Sequence, residues 1–385
     1  MNDLSLGSRD QFKKIILNQG PQTVTNSACR IRAHNDIEAM ERWLDEYFDS
    51  AATYRTYKKE AERFLVWCSL EAGVNLAMLN RDHVELYIEF MKDPQPREKW
   101  CGPRGGLGGK QANGERLWYP FAGPLSGNTI KAALAILNSM MSYLVDARYV
   151  EFNPFALVRK KSRFNKNVVE QSLLVQDRIL SSLEWRVFIA TLLEEPQNSE
   201  REQKKKARLV FMVSILFYLG LRIEELAQAR WHNFRMVEEK WWFFLRGKGQ
   251  SLGKVPVNSH LLAEVMNYRH HLGLKTLPTA KEEGPVICSL KSVELGLTAR
   301  QMSKLIKQLA GTVALKFPLG SQSAARMNKF SPHWLRHLSA SQQDLAGISF
   351  TNIKSNLRHQ SEQTTRQYVH AEDELRHQQM ENLKI

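Results

Sequence analysis

The sequence predicts a mainly α-helical chain of two domains, with one small antiparallel β-hairpin in the C-terminal domain. Three observations carry this. Apolar residues recur at i, i+3 and i+4 over most of the chain, the period of a helix with one buried face. Strand-like composition is confined to residues 240–257. A polar, basic stretch without period, residues 157–176, separates two helical regions. The 385 residues suffice for two units at about 100–200 residues each. With 43% hydrophobic and 9% aromatic residues, both can build a core.

Residues 1–34 have weak periodicity and read as an N-terminal arm. An α-helical domain follows over 35–156. From Asp36, Ile37, Met40, Trp43, Leu44 and Phe48 fall on one helical face. A second helix over about 54–72 carries Tyr57, Ala61, Phe64, Leu65 and Cys68 at helical spacing. Asn80 is placed to cap a third, from Arg81 to Met91. Composition then changes: Pro94 to Pro124 is rich in Gly and Pro and holds Arg97, Lys99, Arg104, Lys110 and Arg116, which predicts a long basic loop. Ser126 and Asn128 precede a fourth helix with Ile130, Leu134, Leu137, Met141 and Leu144, and Pro154 closes the unit.

Beyond the 157–176 linker the chain is helical again through Leu193. The patch EEPQNSEREQKKK reads as a solvated loop or helix end, and VFMVSILFYL as a buried helix stopping at Gly220. KWWFFLRG, KGQSLG and KVPV place aromatic and β-branched residues around a Gly-bounded turn, which predicts a β-hairpin. After His260 the pattern is mostly helical, interrupted near Gly320–Ser323.

The net charge of +14, from 54 Lys and Arg against 40 Asp and Glu, suits an anionic polymer or an anionic membrane surface. No apolar run approaches the ~20 residues that cross a bilayer, and the first residues lack a signal-peptide pattern. No membrane partner is therefore expected, and the expected location is cytoplasmic. Cys29, Cys68, Cys101 and Cys288 are scattered, without the paired spacing of a zinc site.

Four segments carry candidate chemistry. YLGLRIEELAQARW sets Arg222 and Glu225 at a helix start after a Gly. RGKGQ presents Lys248 in the hairpin turn. SPHWLRHLSAS holds His333 and Arg336 three residues apart on one helical face after Pro332. LRHQSEQTTRQYVH holds His359 and, nine residues on, Tyr368. Singly, each has an ordinary reading: an ion-pair arginine, a solvated turn lysine, a helix-capping pair, a packing tyrosine. In this order and approximate spacing, the boxes GLRIEEL, GKG before VP, HWLRH and LRHQSEQTTRQYVH resemble those of the tyrosine recombinase (phage integrase) family. The resemblance covers 177–371, the expected catalytic domain, and extends more weakly to 36–158, where TYRTYKKEAERFLVW and NPF look like the family's core-binding domain.

The resemblance implies a two-domain clamp around DNA and a site-specific recombinase or integrase, serving a mobile genetic element and acting on the nucleoid. Strand cleavage would pass through a 3′-phosphotyrosine. Tyr368 would be the nucleophile, Arg222 and Arg336 the phosphate clamp, His333 the base, His359 a donor to the phosphate and Lys248 the acid for the leaving 5′ oxygen, with Glu225 in support. The chemistry is coherent. Guanidiniums stay charged at any working pH and bind non-bridging oxygens bidentately. A phenol, with an ordinary pKa of ~10, needs help losing its proton. Neither a cofactor nor a metal is implied.

Partners follow in the same way: double-stranded DNA with specific recombination sites, a homotetramer on DNA, and accessory proteins. Residues 372–385 read as a short helical tail of the kind family members dock on a neighbouring protomer. Arg159, Lys160, Lys161 and Arg163 in the linker, and Arg55, Lys58, Lys59 and Arg63 on the second helix, are candidate DNA contacts. Two other readings stay open: a type IB topoisomerase-like enzyme that relaxes DNA, and a non-catalytic DNA-binding assembly factor on the same scaffold. The sequence also departs from the family pattern. Arg358 stands where Gly usually precedes the active-site His, so positive φ is less accessible there. Trp334 and Ser339–Ser341 are unusual near HWLRH, 311–330 looks inserted, and the 94–124 loop is long.

Overall fold

A computed structural model describes residues 29–103, 107–110, 116–158, 180–246 and 252–358. The chain divides into two compact units, residues 1–165 and 166–385. Among the described residues no helix is long and apolar enough to cross a membrane.

The first unit contains helices α1 (Asp36–Asp45), α2 (Ala51–Trp67), α3 (Arg81–Lys92), the short α4 (Arg97–Trp100) and α5 (Gly127–Asp146). Their starts are written in the sequence. Asn35 accepts from the Glu38 amide at 2.9 Å. Asn80 accepts from the His83 amide at 3.0 Å while His83 Nδ1 accepts from the Asn80 amide at 3.2 Å. Ser126 accepts from the Thr129 amide at 3.3 Å. Each bond satisfies an amide that helix geometry leaves open. The core is aromatic: Trp43 stacks on Tyr57 at 5.4 Å, and Phe64 meets Tyr87 edge-on at 4.9 Å. Buried Asp36 accepts from the Leu76 amide and the Tyr149 hydroxyl, both at 2.9 Å, which ties α1 to two distant segments. Burial raises its carboxyl above the usual range, against the opposing pull of those two bonds.

Two expectations for this unit change. The 94–124 stretch is not all loop. It holds α4 and a hairpin of β1 (Leu107–Lys110) and β2 (Arg116–Trp118), with Leu107 opposite Trp118. Trp100 and Phe121 are both buried beside Phe90 and fasten the ends of the stretch to the helices. Gly102 has no room for a Cβ against the Tyr119 ring, so a residue that reads as a loop breaker is a packing contact. Arg63 is not a surface cation: only 3% exposed, it donates to the Pro120 carbonyl at 2.9 Å and to Glu60 at 2.8 Å, and lies 4.3 Å from the Phe121 ring. Its charge is spent internally, which removes it from the DNA-contact candidates. Arg55 and Lys59 are exposed, and Lys58 is half-buried beside the Tyr54 ring.

The second unit contains α6 (Ser182–Leu193), α7 (Glu200–Tyr218), α8 (Ile223–Gln228), strands β3 (Phe234–Val237), β4 (Lys240–Arg246) and β5 (Leu252–Pro256), then α9 (Ser259–His271), α10 (Ala299–Ala314), α11 (Gln322–Lys329), α12 (Pro332–Leu345) and α13 (Phe350–Leu357). Helix α7 runs through the core, burying Phe211, Met212, Ile215 and Leu216 against α6, α9, α10 and α12. The basic run Lys204–Lys206 lies in its half-exposed early turns, capped by Ser199 and Glu202. The expected hairpin is β4–β5, with Phe243 opposite Val255. A third strand, β3, extends it to an antiparallel β3-β4-β5 sheet. Its turn to β4 uses Glu238 and Glu239, both at positive φ (49° and 61°). Tight hairpin turns of this kind favour Asn and Gly, so Glu-Glu gives no sequence signal.

Residues 272–298, expected to be largely helical, are irregular. They are held by short bridges, Arg230 with Pro285 and Cys288 with Gly296, and by Arg269. This fully buried arginine pairs with both oxygens of Glu282 at 2.8 and 3.0 Å, donates to the Lys275 carbonyl at 2.6 Å, and lies 4.7 Å from the Trp231 ring. Removing Arg269 leaves the Lys275 carbonyl and the Glu282 carboxylate without these donors. Glu282 is 28% exposed and can be partly rehydrated, so Arg269→Met is expected to destabilise this unit by about 1–3 kcal/mol in urea unfolding. A change below about 1 kcal/mol would mean the 272–298 strap is held by its other contacts.

Candidate active site

The site is built on the turn from α7 to α8. Gly220 sits at φ 54°, and a Cβ there would strike the Leu357 side chain, so both the turn and the close approach require glycine. Arg222 follows as the N-cap of α8. Glu225 reaches back from the first turn, accepting from the Arg222 amide at 2.8 Å and from Arg222 Nη1 at 2.9 Å. The Arg222 side chain is 46% exposed, so its guanidinium is held along one edge and open to a ligand elsewhere.

Helix α12 starts at Pro332, a residue preorganised for a first helical position. The ring of His333 is exposed and meets that of buried His337 at 4.2 Å. Arg336, only 3% exposed, donates through Nη1 to the Gly220 carbonyl and through Nη2 to the Leu357 carbonyl. The i, i+3 spacing thus gives two unlike environments: His333 open, Arg336 buried where α12, the Gly220 turn and the end of α13 meet.

Arg358 completes the cluster. It is the C-cap of α13 and takes the left-handed conformation, φ 54° and ψ 45°. Arginine thus takes the positive φ that is less accessible to it than to the usual Gly. The side chain supplies the reason. Nη1 donates to the Asn356 carbonyl at 2.7 Å, and Nη2 pairs with Glu225 Oε2 at 2.8 Å. Burial would push the Glu225 carboxyl up, but Arg358, the Arg222 amide and the Arg222 guanidinium outweigh it and hold the group below the usual carboxylate range. Burial also lowers the Arg358 guanidinium, with Glu225 opposing that.

Arg222, Glu225 and Arg336 therefore come together from two distant sequence boxes, with Arg358 as a fourth member. Lys248, His359 and Tyr368 lie outside the described residues, as do Arg159, Lys160, Lys161 and Arg163. Sequence reasoning passed over Arg358 as a departure and did not single out His337. The available signal for Arg358 was a long cation immediately before a box histidine, where a small residue is usual.

The Phage integrase family model matches residues 189–374, a span containing Arg222, Lys248, His333, Arg336, His359 and Tyr368. The chain is 24% identical over 258 residues to tyrosine recombinase XerC of Pediococcus pentosaceus, covering 66% of this chain and 75% of that protein. It is 22% identical over 328 residues to a tyrosine recombinase of Thermosipho africanus, covering 84% and 90%. Among solved structures, XerH site-specific recombinase in a post-cleavage complex with palindromic difH substrate is similar with TM-score 0.60 and 15% identity, over 96% of this chain and 94% of that one. The Tn1549 transposon integrase in complex with transposon right end DNA gives TM-score 0.56 and 15% identity, over 90% and 99%. The helical fold with its small antiparallel sheet is thus the fold of these enzymes. Residues 189–374 thus carry a phage integrase family domain, and the chain is similar to tyrosine recombinases over most of its length.

Proposed function

We propose that the protein is a site-specific DNA recombinase that cleaves and rejoins duplex DNA through a 3′-phosphotyrosine on Tyr368. The observation that carries this reading is the meeting of Arg222 and Arg336 at the Gly220 turn, with Glu225 holding Arg222. In this reading the two guanidiniums take the non-bridging oxygens of the scissile phosphate and stabilise the charge of the pentacoordinate state.

Tyr368 Oη attacks phosphorus and loses its proton to His333, while His359 donates to the phosphate. The bond to the 5′ oxygen breaks, and Lys248 protonates that oxygen. Rejoining reverses the step: a 5′ hydroxyl attacks phosphorus and the tyrosine leaves. The phosphodiester energy is kept in the covalent bond throughout, so no nucleotide triphosphate is needed.

The partners of this reaction are two duplexes carrying recombination sites, held by a homotetramer, with accessory proteins setting direction. Arg55, Lys58 and Lys59 on α2, and Arg159, Lys160, Lys161 and Arg163 in the 157–176 stretch, contribute salt-sensitive phosphate contacts. The enzyme acts on cytoplasmic, nucleoid DNA on behalf of the mobile element that carries its gene.

The test supplies two site-bearing duplexes of different length. Crossover products of new length are expected. Relaxation of plasmids without crossover would replace this reading with a type IB topoisomerase-like one, and binding without any cleavage would favour an assembly factor.

A further inference from the structure

The geometry points to Arg358 as a positioning residue of the phosphate clamp: it shares the Glu225 carboxylate with Arg222 and so keeps Arg222 directed at the phosphate. This rests on the recombinase reading above.

Charge is the first argument. Glu225 is 14% exposed, and its carboxylate takes three donors: the Arg222 amide, Arg222 Nη1 and Arg358 Nη2. Arg222, Glu225 and Arg358 together carry one net positive charge. Without Arg358 the sum falls to zero, and Arg222 becomes the only guanidinium these bonds leave to balance a half-buried carboxylate. It would then be drawn onto Glu225 and away from a ligand.

The local backbone is the second argument. A side chain at positive φ is strained, and such a residue persists where its surroundings over-determine it. The surroundings here are specific. The side chain crosses β5 at Gly253, where a Cβ would stand 3.1 Å from Arg358 Cδ. It is anchored beyond that point by the Asn356 carbonyl and Glu225. The Gly usual at this position in the family would relieve the strain and supply no charge.

The third argument is continuity. Arg358 immediately precedes His359, and Leu357 is held by Arg336. The same few bonds that set the clamp therefore also hold Leu357 and Arg358, the two residues that precede His359 in the sequence.

The test compares full-length wild type with Arg358→Gly, Arg358→Lys and Glu225→Gln on a nicked, site-bearing duplex. Arg358→Gly is expected to slow covalent-adduct formation on the order of 10- to 100-fold, the cost of a misplaced group. Arg358→Lys should recover part of the rate. In an Arg222→Lys background the same Arg358→Gly change should cost about two-fold or less, because the two residues act as one unit. An equal penalty in both backgrounds would mean a general structural role and would overturn the proposal, as would a wild-type rate in Arg358→Gly.

A second measurement needs no DNA. Phenylglyoxal modification of Arg222, followed by mass spectrometry, should slow several-fold in Arg358→Gly as Arg222 closes onto Glu225. Unchanged modification overturns the proposal. Slowed modification in a protein whose wild type forms no adduct would support the positioning role and remove the recombinase reading instead.

Discussion

Tyr368→Phe is expected to abolish the covalent protein–DNA adduct trapped on a nicked, site-bearing duplex, with site binding retained. The substitution removes one oxygen and keeps the ring, so only the proposed bond-forming atom is lost. Nucleophilic catalysis divides the exchange into two steps through that atom, and neither step can begin without it. Electrophoresis under denaturing conditions reads the result as loss of the slowly migrating protein–DNA species. An adduct formed by Tyr368→Phe at the wild-type rate would assign the nucleophile to another residue. Absence of the adduct from wild type on its true site would make the chain a DNA-binding scaffold.

The second large effect separates two arginines that the sequence presents as equivalent. Arg222→Ala and Arg336→Ala are each expected to slow adduct formation by about 10³-fold, the loss for removing a preorganised donor to developing charge. Their stability should differ. Arg222 is nearly half exposed, and its removal should leave the denaturation midpoint unchanged. Arg336 is buried and donates to the Gly220 and Leu357 carbonyls; Gly220 keeps a longer bond from Arg358 at 3.4 Å, so Arg336→Ala should also cost about 1–3 kcal/mol, chiefly for the Leu357 carbonyl. Paired adduct kinetics and urea unfolding measure both quantities. Equal stability losses would mean that Arg336 does not anchor the end of α13, and a wild-type cleavage rate in either variant would take that residue out of the clamp.

Much of the fold is legible because several helices carry both a clean period and a cap. Asn80 before α3 and Ser126 before α5 mark starts that the structure reproduces. The β4–β5 hairpin is legible for a related reason, since aromatic and β-branched residues flank a Gly-bounded turn. Strand β3 is not. Only Phe234 of its four residues is buried, and its turn is Glu-Glu, so it has neither alternation nor turn chemistry to announce it. The β1–β2 hairpin is hidden by the Gly and Pro content of its surroundings, and the 272–298 strap by apolar residues that pack without a helix.

The sequence by itself determined the residue types of the proposed chemistry and their order: Arg222 with Glu225, Lys248, His333 with Arg336, then His359 and Tyr368. It also determined that the chain is mainly helical, because hydrophobic period and capping are local properties. The tertiary structure alone decided which cations are available. Arg63 stands on a helix rich in basic residues, yet packing turns it inward to Glu60 and Phe121. Arg358 reads as an obstacle to a glycine-like turn, yet a carboxylate 133 residues earlier in the chain gives its guanidinium a partner. A charge acquires its role from the opposite charge and the dielectric around it, and for Arg358 both are set by residues that only folding brings near.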